Sequence, residues 1–161
     1  MITVKTQLNK RELRDLSILL DELVDVYTDF YITRNNLRLY IKENKDLLFK
    51  CLKKGDKIAF DEKKGIIFAT GWSDKASRKY LKILARDDES ADKLLKIFLW
   101  HINCDIYIKV KKNNPIKKVL QRNNFRFAGD RGREILLLRK YIPSKTVEEQ
   151  INKFEEDNND N

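Results

Sequence analysis

Residues 79–141 decide the fold of this chain, and their sequence is KYLKILARDDESADKLLKIFLWHINCDIYIKVKKNNPIKKVLQRNNFRFAGDRGREILLLRKY. The pattern predicts in order a strand, a polar turn, a helix, a second strand, a short helix and a closing hairpin, at Lys79–Ala85, Arg86–Ser90, Ala91–Ile102, Ile106–Val110, Ile116–Arg122 and Phe125–Tyr141. Strands that alternate with single helices need crossover connections, so we expect a mixed α/β sheet with parallel pairing at its centre. Because ligands in such sheets bind outside the carboxyl ends of the strands, Arg86–Ser90 is the candidate ligand loop.

The chain before residue 79 predicts one strand, two helices and an antiparallel meander. Apolar residues alternate over Met1–Leu8, as in a half-buried strand. Asn9 and Glu12 have capping-box spacing, and the helix that they start carries an apolar stripe as far as Tyr31. The remaining elements are a second helix and two strands of the meander, predicted at Asn36–Lys53, Lys57–Asp61 and Ile66–Trp72.

The charge of the chain is unevenly distributed. The 161 residues hold 34 Lys and Arg against 25 Asp and Glu, a net charge of +9. The last twenty residues are acidic, with two Lys and six Asp or Glu, which leaves +13 on residues 1–141. A body this basic favours a polyanionic partner such as nucleic acid, an acidic protein or a phosphorylated small molecule. A lysine-rich solvated surface without a partner explains the same charge.

The sequence gives no sign of a membrane or a metal. No segment is apolar for the ~20 residues that a spanning helix needs, and a signal-peptide core is missing, so we expect a cytoplasmic protein. Cys51 and Cys104 have no CxxC spacing, and we interpret them as small hydrophobic residues in a reducing compartment.

The candidate ligand loop carries part of a known motif. Arg86–Ala91 matches both ends of the pattern Q/R-x-x-G-x-G/A, and Leu94-Leu95 follow at the spacing of the apolar pair in the next helix. With this loop and the element order above, the chain from Ile2 to Tyr141 resembles the GNAT superfamily of N-acyltransferases. The resemblance implies an α/β fold with a mixed central sheet of about six to seven strands and about four helices. One domain of this kind would cover residues 1–141. The composition of residues 142–161 predicts an acidic extension that is part helix and part disordered.

The resemblance further implies acetyl-CoA as cofactor and an amine as substrate. The residues implied in cofactor binding are Arg86, Asp87, Asp88, Glu89, Ser90, Ala91 and Asn114. The pantetheine arm is expected to pair with the backbone of the fourth strand of the family, here Lys79–Ala85, without needing particular side chains. Glu89 departs from the motif because it replaces a glycine, and three loop carboxylates would each repel a pyrophosphate by about 1–3 kcal/mol. The same loop also suits an ordinary helix start, with Asp88 or Ser90 as N-cap.

Three side chains are candidates for catalysis near the amine, namely Tyr31, His101 and Tyr107. The family often places a Tyr general acid five residues before a Gly-Phe pair. Here Asn124-Phe125 replaces that pair, with Asn124 expected in the left-handed conformation, and the fifth residue before Phe125 is Leu120, which cannot donate a proton. Sheet packing is the alternative role for Tyr107, and a place at the helix C-terminus is the alternative for His101.

A second hypothesis keeps the fold without the catalysis. Aromatic and cationic side chains interleave over residues 125–127, as in single-strand binders, although Phe125 and Phe127 also suit a core. A second group of cations lies just before this part of the chain, at Lys109, Lys111, Lys112, Lys117 and Lys118. The second hypothesis is therefore a catalytically inactive GNAT-like basic module that binds nucleic acid or an acidic partner protein. The Lys- and Asn-rich composition suggests a viral or mobile-element setting for it.

Overall fold

The computed structural model describes residues 1–22, 27–28, 46, 48–71 and 78–142. Its helices are α1 (Lys10–Glu22), α2 (48–53), α3 (Asp88–Trp100) and α4 (Lys117–Arg122). Its strands are β1 (Thr3–Lys5), β2 (Tyr27–Thr28), β3 (Ile58–Asp61), β4 (Gly65–Gly71), β5 (Lys79–Ala85), β6 (Ile106–Lys111), β7 (Arg126–Arg131) and β8 (Glu134–Arg139). The predicted strand at 79–85 is confirmed residue for residue, and the other elements in 79–141 end within a few residues of their predicted bounds.

All of these strands belong to one sheet, in the order β1-β3-β4-β5-β6-β8-β7, with β2 paired to β5 beside that path. Strands β3, β4 and β5 form the predicted antiparallel meander. Among the pairs that the structure describes, β5 with β6 is the parallel one, as the crossover through α3 requires. The expected mixed α/β sheet is confirmed, and β2 adds a strand that the sequence did not predict.

Two apolar layers cover the two faces of this sheet. On one face, α3 and α4 pack on the strands through residues such as Leu94, Phe98 and Val119. On the other face, α1 and α2 cover β3 and β4, with Leu16 and Phe68 fully buried. Each such side chain contributes about 1.5–3 kcal/mol on burial, so the two layers fix which face each β5 and β6 residue presents.

The start of α1 is confirmed and its end is corrected. The amide of Glu12 donates to Asn9 Oδ1 (2.8 Å) and the amide of Asn9 donates to Glu12 Oε1 (3.2 Å), the reciprocal bonds of a capping box. The predicted stripe through Tyr31 was wrong for Tyr27, because α1 spans Lys10–Glu22 and Tyr27 pairs with β5 as part of β2. Pairing with a strand edge, a contact distant in sequence, overrides helical periodicity here.

The terminal hairpin separates two phenylalanines that the sequence could place together in a core. Phe125 is fully buried, but Phe127 is 66% exposed, so the core interpretation is wrong for Phe127. The β7–β8 register shifts between Phe127 and Gly129, and such a bulge re-aims side chains. The acidic extension predicted at 142–161 lies, from residue 143 onward, outside the described residues. Within the part of the chain that is described, no helix combines the length and apolarity needed to cross a membrane.

Candidate active site at the splayed strands

The central feature of the site is a gap between β5 and β6. The two strands pair only at Lys79 with Ile106 and at Tyr80 with Tyr107. Beyond that point β5 follows β4 up to Ala85, while β6 follows β8 up to Lys111. The strands therefore diverge toward their carboxyl ends, where open sheets bind ligands. The gap opens beside the candidate ligand loop, which follows β5 directly.

The backbone of β5 offers hydrogen-bonding groups to this gap. The amide of Arg86 donates to the carbonyl of Lys64 on the β4 side (2.9 Å). Because backbone groups alternate in direction along a strand, those of Leu81, Ile83 and Ala85 point away from β4 and toward the gap. In the described residues, 81–83 have no strand partner on this edge.

The strand β2 occupies the mouth of the gap. Tyr27 pairs with Ala85, and Thr28 pairs with Leu84. Two residues of a distant segment thus occupy the last two positions of the β5 edge. The part of this edge that is open to a ligand, within the described chain, is limited to residues 81–83.

The α3 helix begins at the mouth of the gap with a capped N-terminus. Asp87 is the N-cap, in an extended conformation, and its Oδ1 accepts from the amide of Ser90 (2.7 Å). This hydrogen bond lowers the pKa of the Asp87 carboxyl. The predicted N-cap at Asp88 or Ser90 was wrong, because the helix starts at Asp88 and one residue earlier is the position whose side chain reaches the Ser90 amide.

The other charged groups of the candidate ligand loop contact partners within the chain. Arg86 donates through Nε to the carbonyl of Lys63, which holds its side chain against the β3–β4 turn. Glu89 pairs with Lys93 (3.0 Å), and Asp88 lies 3.9 Å from Arg122 of α4. Arg86 and Ala91, the first and last residues of the motif, therefore lie at the mouth of the gap. The loop carboxylates there are paired with cations of this chain and with a helix amide.

The start of α4 follows β6 directly, at the carboxyl end of that strand. Asn114 is buried, and its Oδ1 accepts from the amide of Ile116 (3.0 Å), which begins the α4 turn. Asn124 has φ 70°, so the predicted left-handed residue is confirmed. Leu120 and Phe125 are fully buried in the layer between α4 and the sheet. Leu120, at the position where the resemblance implies a tyrosine, is thus an apolar packing residue.

Two tyrosines and two cations meet where β5 and β6 part. The rings of Tyr80 and Tyr107 lie 5.8 Å apart between centroids. Arg78 lies 5.0 Å from the centroid of the Tyr107 ring, and Lys109 Nζ lies 5.2 Å from that of Tyr80. The sequence prediction named Tyr107 and missed Tyr80. The sequence predicted parallel pairing at the centre of the sheet but not the register that places these two residues side by side.

The other two catalytic candidates are not brought to this point. His101 is the C-cap of α3 and is exposed, about 20 Å from Asp88 at 1.5 Å per helical residue. It lines a cavity of about 270 Å³ with Cys104 and with Lys79, the residue before Tyr80, at the end of the sheet away from the mouth of the gap. Tyr31 lies outside the described residues.

The cysteines do not provide a nucleophile. Burial raises the pKa of Cys51 to about 11, and its Sγ donates to the carbonyl of Ala69 (3.7 Å). Burial also raises the pKa of Cys104. Both thiols therefore stay protonated near neutral pH. The described residues hold no cluster of three or more His, Cys, Asp or Glu that would suit a metal ion.

The architecture matches that of solved N-acetyltransferases. No family model matches the sequence, and no curated protein gives a significant match. The PaiA N-acetyltransferase of Thermoplasma acidophilum, solved with coenzyme A, superposes with a TM-score of 0.62 at 17% identity, over 88% of this chain and 99% of that one. An N-acetyltransferase of Staphylococcus aureus Mu50 gives 0.61 at 11% identity, over 87% and 97%. The ribosomal-protein-S18-alanine N-acetyltransferase of Escherichia coli gives 0.55 at 12% identity, over 89% and 96%. With its central sheet parted between two parallel strands, this chain has the GNAT fold.

Proposed function

We propose that this protein transfers an acyl group from acyl-CoA to an amine. The observation that carries the proposal is the open edge of β5 at residues 81–83, facing a gap whose mouth adjoins the start of α3. A strand edge of this kind pairs with any extended chain that carries amide groups. The pantetheine arm of coenzyme A is such a chain, and solved proteins of this fold include one in complex with coenzyme A.

The strand edge fits the pantetheine arm better than the helix start fits a pyrophosphate. Main-chain pairing needs no motif side chain, so the loss of glycine at Glu89 does not affect it. At the helix start, the Asp87 carboxylate already accepts from the Ser90 amide, which is a group that a phosphate would use. We therefore propose that the arm supplies most of the binding free energy, and that the loop residues Arg86–Ala91 and the nearby Asn114 contribute less than in proteins with the full motif.

The proposed reaction moves one acyl group and one proton. The amine nitrogen forms a bond to the thioester carbonyl carbon, the carbon–sulfur bond breaks, the nitrogen loses a proton and the departing thiolate gains one. With the arm along β5, the thioester would lie near Tyr80 and Tyr107, where the strands converge. We propose Tyr107 as the proton donor to the thiolate, because Leu120 has no proton to give. His101 is left out of this proposal because it follows α3, which packs on the sheet face opposite to the one that carries Tyr107.

The basic-module hypothesis has less support. The solved structures that resemble the chain are N-acetyltransferases, and none of the comparisons favours a nucleic-acid-binding role. A basic surface alone is compatible with many partners.

Calorimetric titration tests the proposed function. We expect acetyl-CoA to bind, and S-acetylpantetheine, which lacks the nucleotide, to retain more than half of the binding free energy. Hydrogen exchange supplies a residue-level readout, because bound ligand should protect the amide of Ile83, on the gap side, and leave that of Lys82, on the β4 side, unchanged. Absence of binding at millimolar acetyl-CoA would contradict the proposal.

A further inference from the structure

We propose that Asp92 and Asn123 are positioning residues for the proposed reaction. The hydrogen bond between them holds the two halves of the sheet at the separation that the pantetheine arm needs. This inference rests on the proposed function, because it assigns the pair a role in binding acyl-CoA. The pair acts through the helices that it joins and does not itself contact the ligand.

The gap divides the sheet into two halves. One half is β1, β3, β4 and β5, and the other is β6, β8 and β7. In the described residues the halves pair at Lys79 with Ile106 and at Tyr80 with Tyr107, at the closed end of the gap. Helix α3 packs on β3, β4 and β5 of the first half, whereas α4 connects β6 to β7 of the second. Each half therefore carries one of these two helices.

The contact between α3 and α4 is a second place where the halves meet. Val119 and Leu120 of α4 are fully buried in the same apolar layer as Leu95 and Phe98 of α3. Apolar packing is non-directional, so by itself it lets the two helices slide and tilt against each other. A hydrogen bond is directional, and one at this contact fixes a single separation.

Asn123, the C-cap of α4, makes such a bond to α3. Its Nδ2 donates to Asp92 Oδ1 (2.8 Å) and to the carbonyl of Val119 (2.8 Å). Both hydrogens of the amide are thereby used, so the side chain is held in one orientation. Asn123 is only 7% exposed, which limits competition from water, and hydrogen bonds to a carboxylate are stronger than those between neutral groups.

Asp92 is in turn held by its own helix. Its Oδ2 accepts from Lys96 Nζ (2.7 Å), one turn further along α3. A second polar contact between the helices joins Asp88 to Arg122 at 3.9 Å, but both of these side chains are about half exposed or more, so this contact contributes little. The bond between Asp92 and Asn123 is therefore the polar contact that fixes α3 against α4.

A fixed separation favours binding of the proposed arm. Beyond Tyr80 and Tyr107 the described parts of β5 and β6 are not paired, so the sheet itself does not set their distance there. An arm that pairs with residues 81–83 has the second half of the sheet on its other side. If the halves are already held at the right distance, the arm contacts both of them without a further cost of ordering. Without the bond between Asp92 and Asn123 the halves can part further, and the arm then keeps the contacts of β5 alone.

Electron paramagnetic resonance measures the separation of the halves in the ligand-free protein. Nitroxides are attached at Lys93→Cys of α3 and Lys118→Cys of α4, two exposed positions, in a background of Cys51→Ala and Cys104→Ser. We expect Asp92→Ala to broaden the distribution of distances between the labels and to shift it to longer values. Asp92→Asn keeps an oxygen that can accept from Asn123, and Lys96→Ala leaves the bond to Asn123 in place, so both should keep the original distribution.

Calorimetric titration with S-acetylpantetheine and with acetyl-CoA gives the functional readout. Because a hydrogen bond to a charged group is lost, we expect Asp92→Ala to raise both Kd values by about tenfold, and by the same factor since the two ligands share the arm. Asn123→Leu removes the donor of the same bond, so the double variant should bind no more weakly than either single one. All titrations are made well below the melting temperature of each variant, where a role in stability alone would leave Kd unchanged.

Three outcomes would overturn the inference. One is an unchanged distance distribution in Asp92→Ala, and another is a longer distance with an unchanged Kd for S-acetylpantetheine. The third is an equal effect of Lys96→Ala and Asp92→Ala, which would assign the role to the ion pair within α3. Absence of acetyl-CoA binding in the wild type refutes the proposed function instead, and the distance measurement, which needs no ligand, still decides whether the bond holds the halves.

Discussion

Tyr80 and Tyr107 are the last residues that hold β5 against β6, and their rings lie 5.8 Å apart at the point where the strands diverge. This pair marks the closed end of the gap. An extended ligand that pairs with the open edge of β5 at residues 81–83 would reach the two rings with its far end. The proposed position of the thioester is therefore defined by this one contact.

The first prediction concerns the loss of activity when the Tyr107 hydroxyl is removed. Tyr107→Phe keeps the ring and its packing against Tyr80 but removes the proposed proton donor. Proton transfer by a positioned side chain contributes about 10²–10⁴-fold to a rate, so we expect kcat to fall by about 10²-fold with an unchanged KM for acetyl-CoA. Tyr141→Phe, two residues beyond the end of β8, is the matched control and should retain full activity. Equal activity of both variants would show that Tyr107 only packs.

The second prediction concerns the effect of the Asp87 charge on binding of acetyl-CoA. Asp87→Asn keeps an oxygen that can accept from the Ser90 amide, and it removes a negative charge from the mouth of the gap. One charge at about 5 Å in water is worth about 1 kcal/mol, so the Kd for acetyl-CoA should improve about fivefold, while that for S-acetylpantetheine should not change. An improvement for both ligands would show that the effect does not come from the phosphates.

Much of the fold could be predicted from local pattern, and the failures share one cause. The β5 strand, the capping box of Asn9 and Glu12, and the left-handed Asn124 all follow from neighbours within about four residues, and the structure has them as expected. The pairing of Tyr27 with Ala85 joins residues far apart in sequence, and no local signal in the chain announces it. The apolar spacing around Tyr27 equally suits a helix, which is why the sequence favoured the wrong element.

The candidate site was predictable as a place but not as a set of residues. The position of Arg86–Ala91 between a strand and a helix located the mouth of the gap. The identity of the N-cap depended on which loop residue has an extended backbone. Three successive acids, Asp87, Asp88 and Glu89, do not decide this from sequence alone. The place of Tyr80 beside Tyr107 depended on the parallel register of β5 and β6, which a sequence pattern does not encode.

The third prediction concerns the loss of stability at the N-terminus of α3 in acid. The hydrogen bond from Ser90 lowers the pKa of Asp87 in the folded state below its unfolded value of about 3.9. A depressed carboxyl pKa contributes stability that is fully present above the unfolded pKa and is lost as the pH falls through the folded pKa. The melting temperature of the wild type should therefore fall more steeply below pH 4 than that of Asp87→Asn, and the two should run parallel above pH 5. Parallel curves throughout would mean that the cap is not formed.

The last prediction concerns the close approach of Gly65 to β5. A Cβ at Gly65 would lie 2.4 Å from the carbonyl oxygen of Leu84 and 2.9 Å from the Cα of Ala85, so Gly65→Ala forces β4 and β5 apart at the mouth of the gap. Overpacking of this kind costs about 1–3 kcal/mol, which urea denaturation would measure. Gly71→Ala is the control, because its nearest neighbour is the flexible end of Lys79 at 3.9 Å. Since Leu84 and Ala85 also carry β2, the Gly65 variant should increase hydrogen exchange at Tyr27 as well, and unchanged exchange there would show that β2 does not depend on this edge of the sheet.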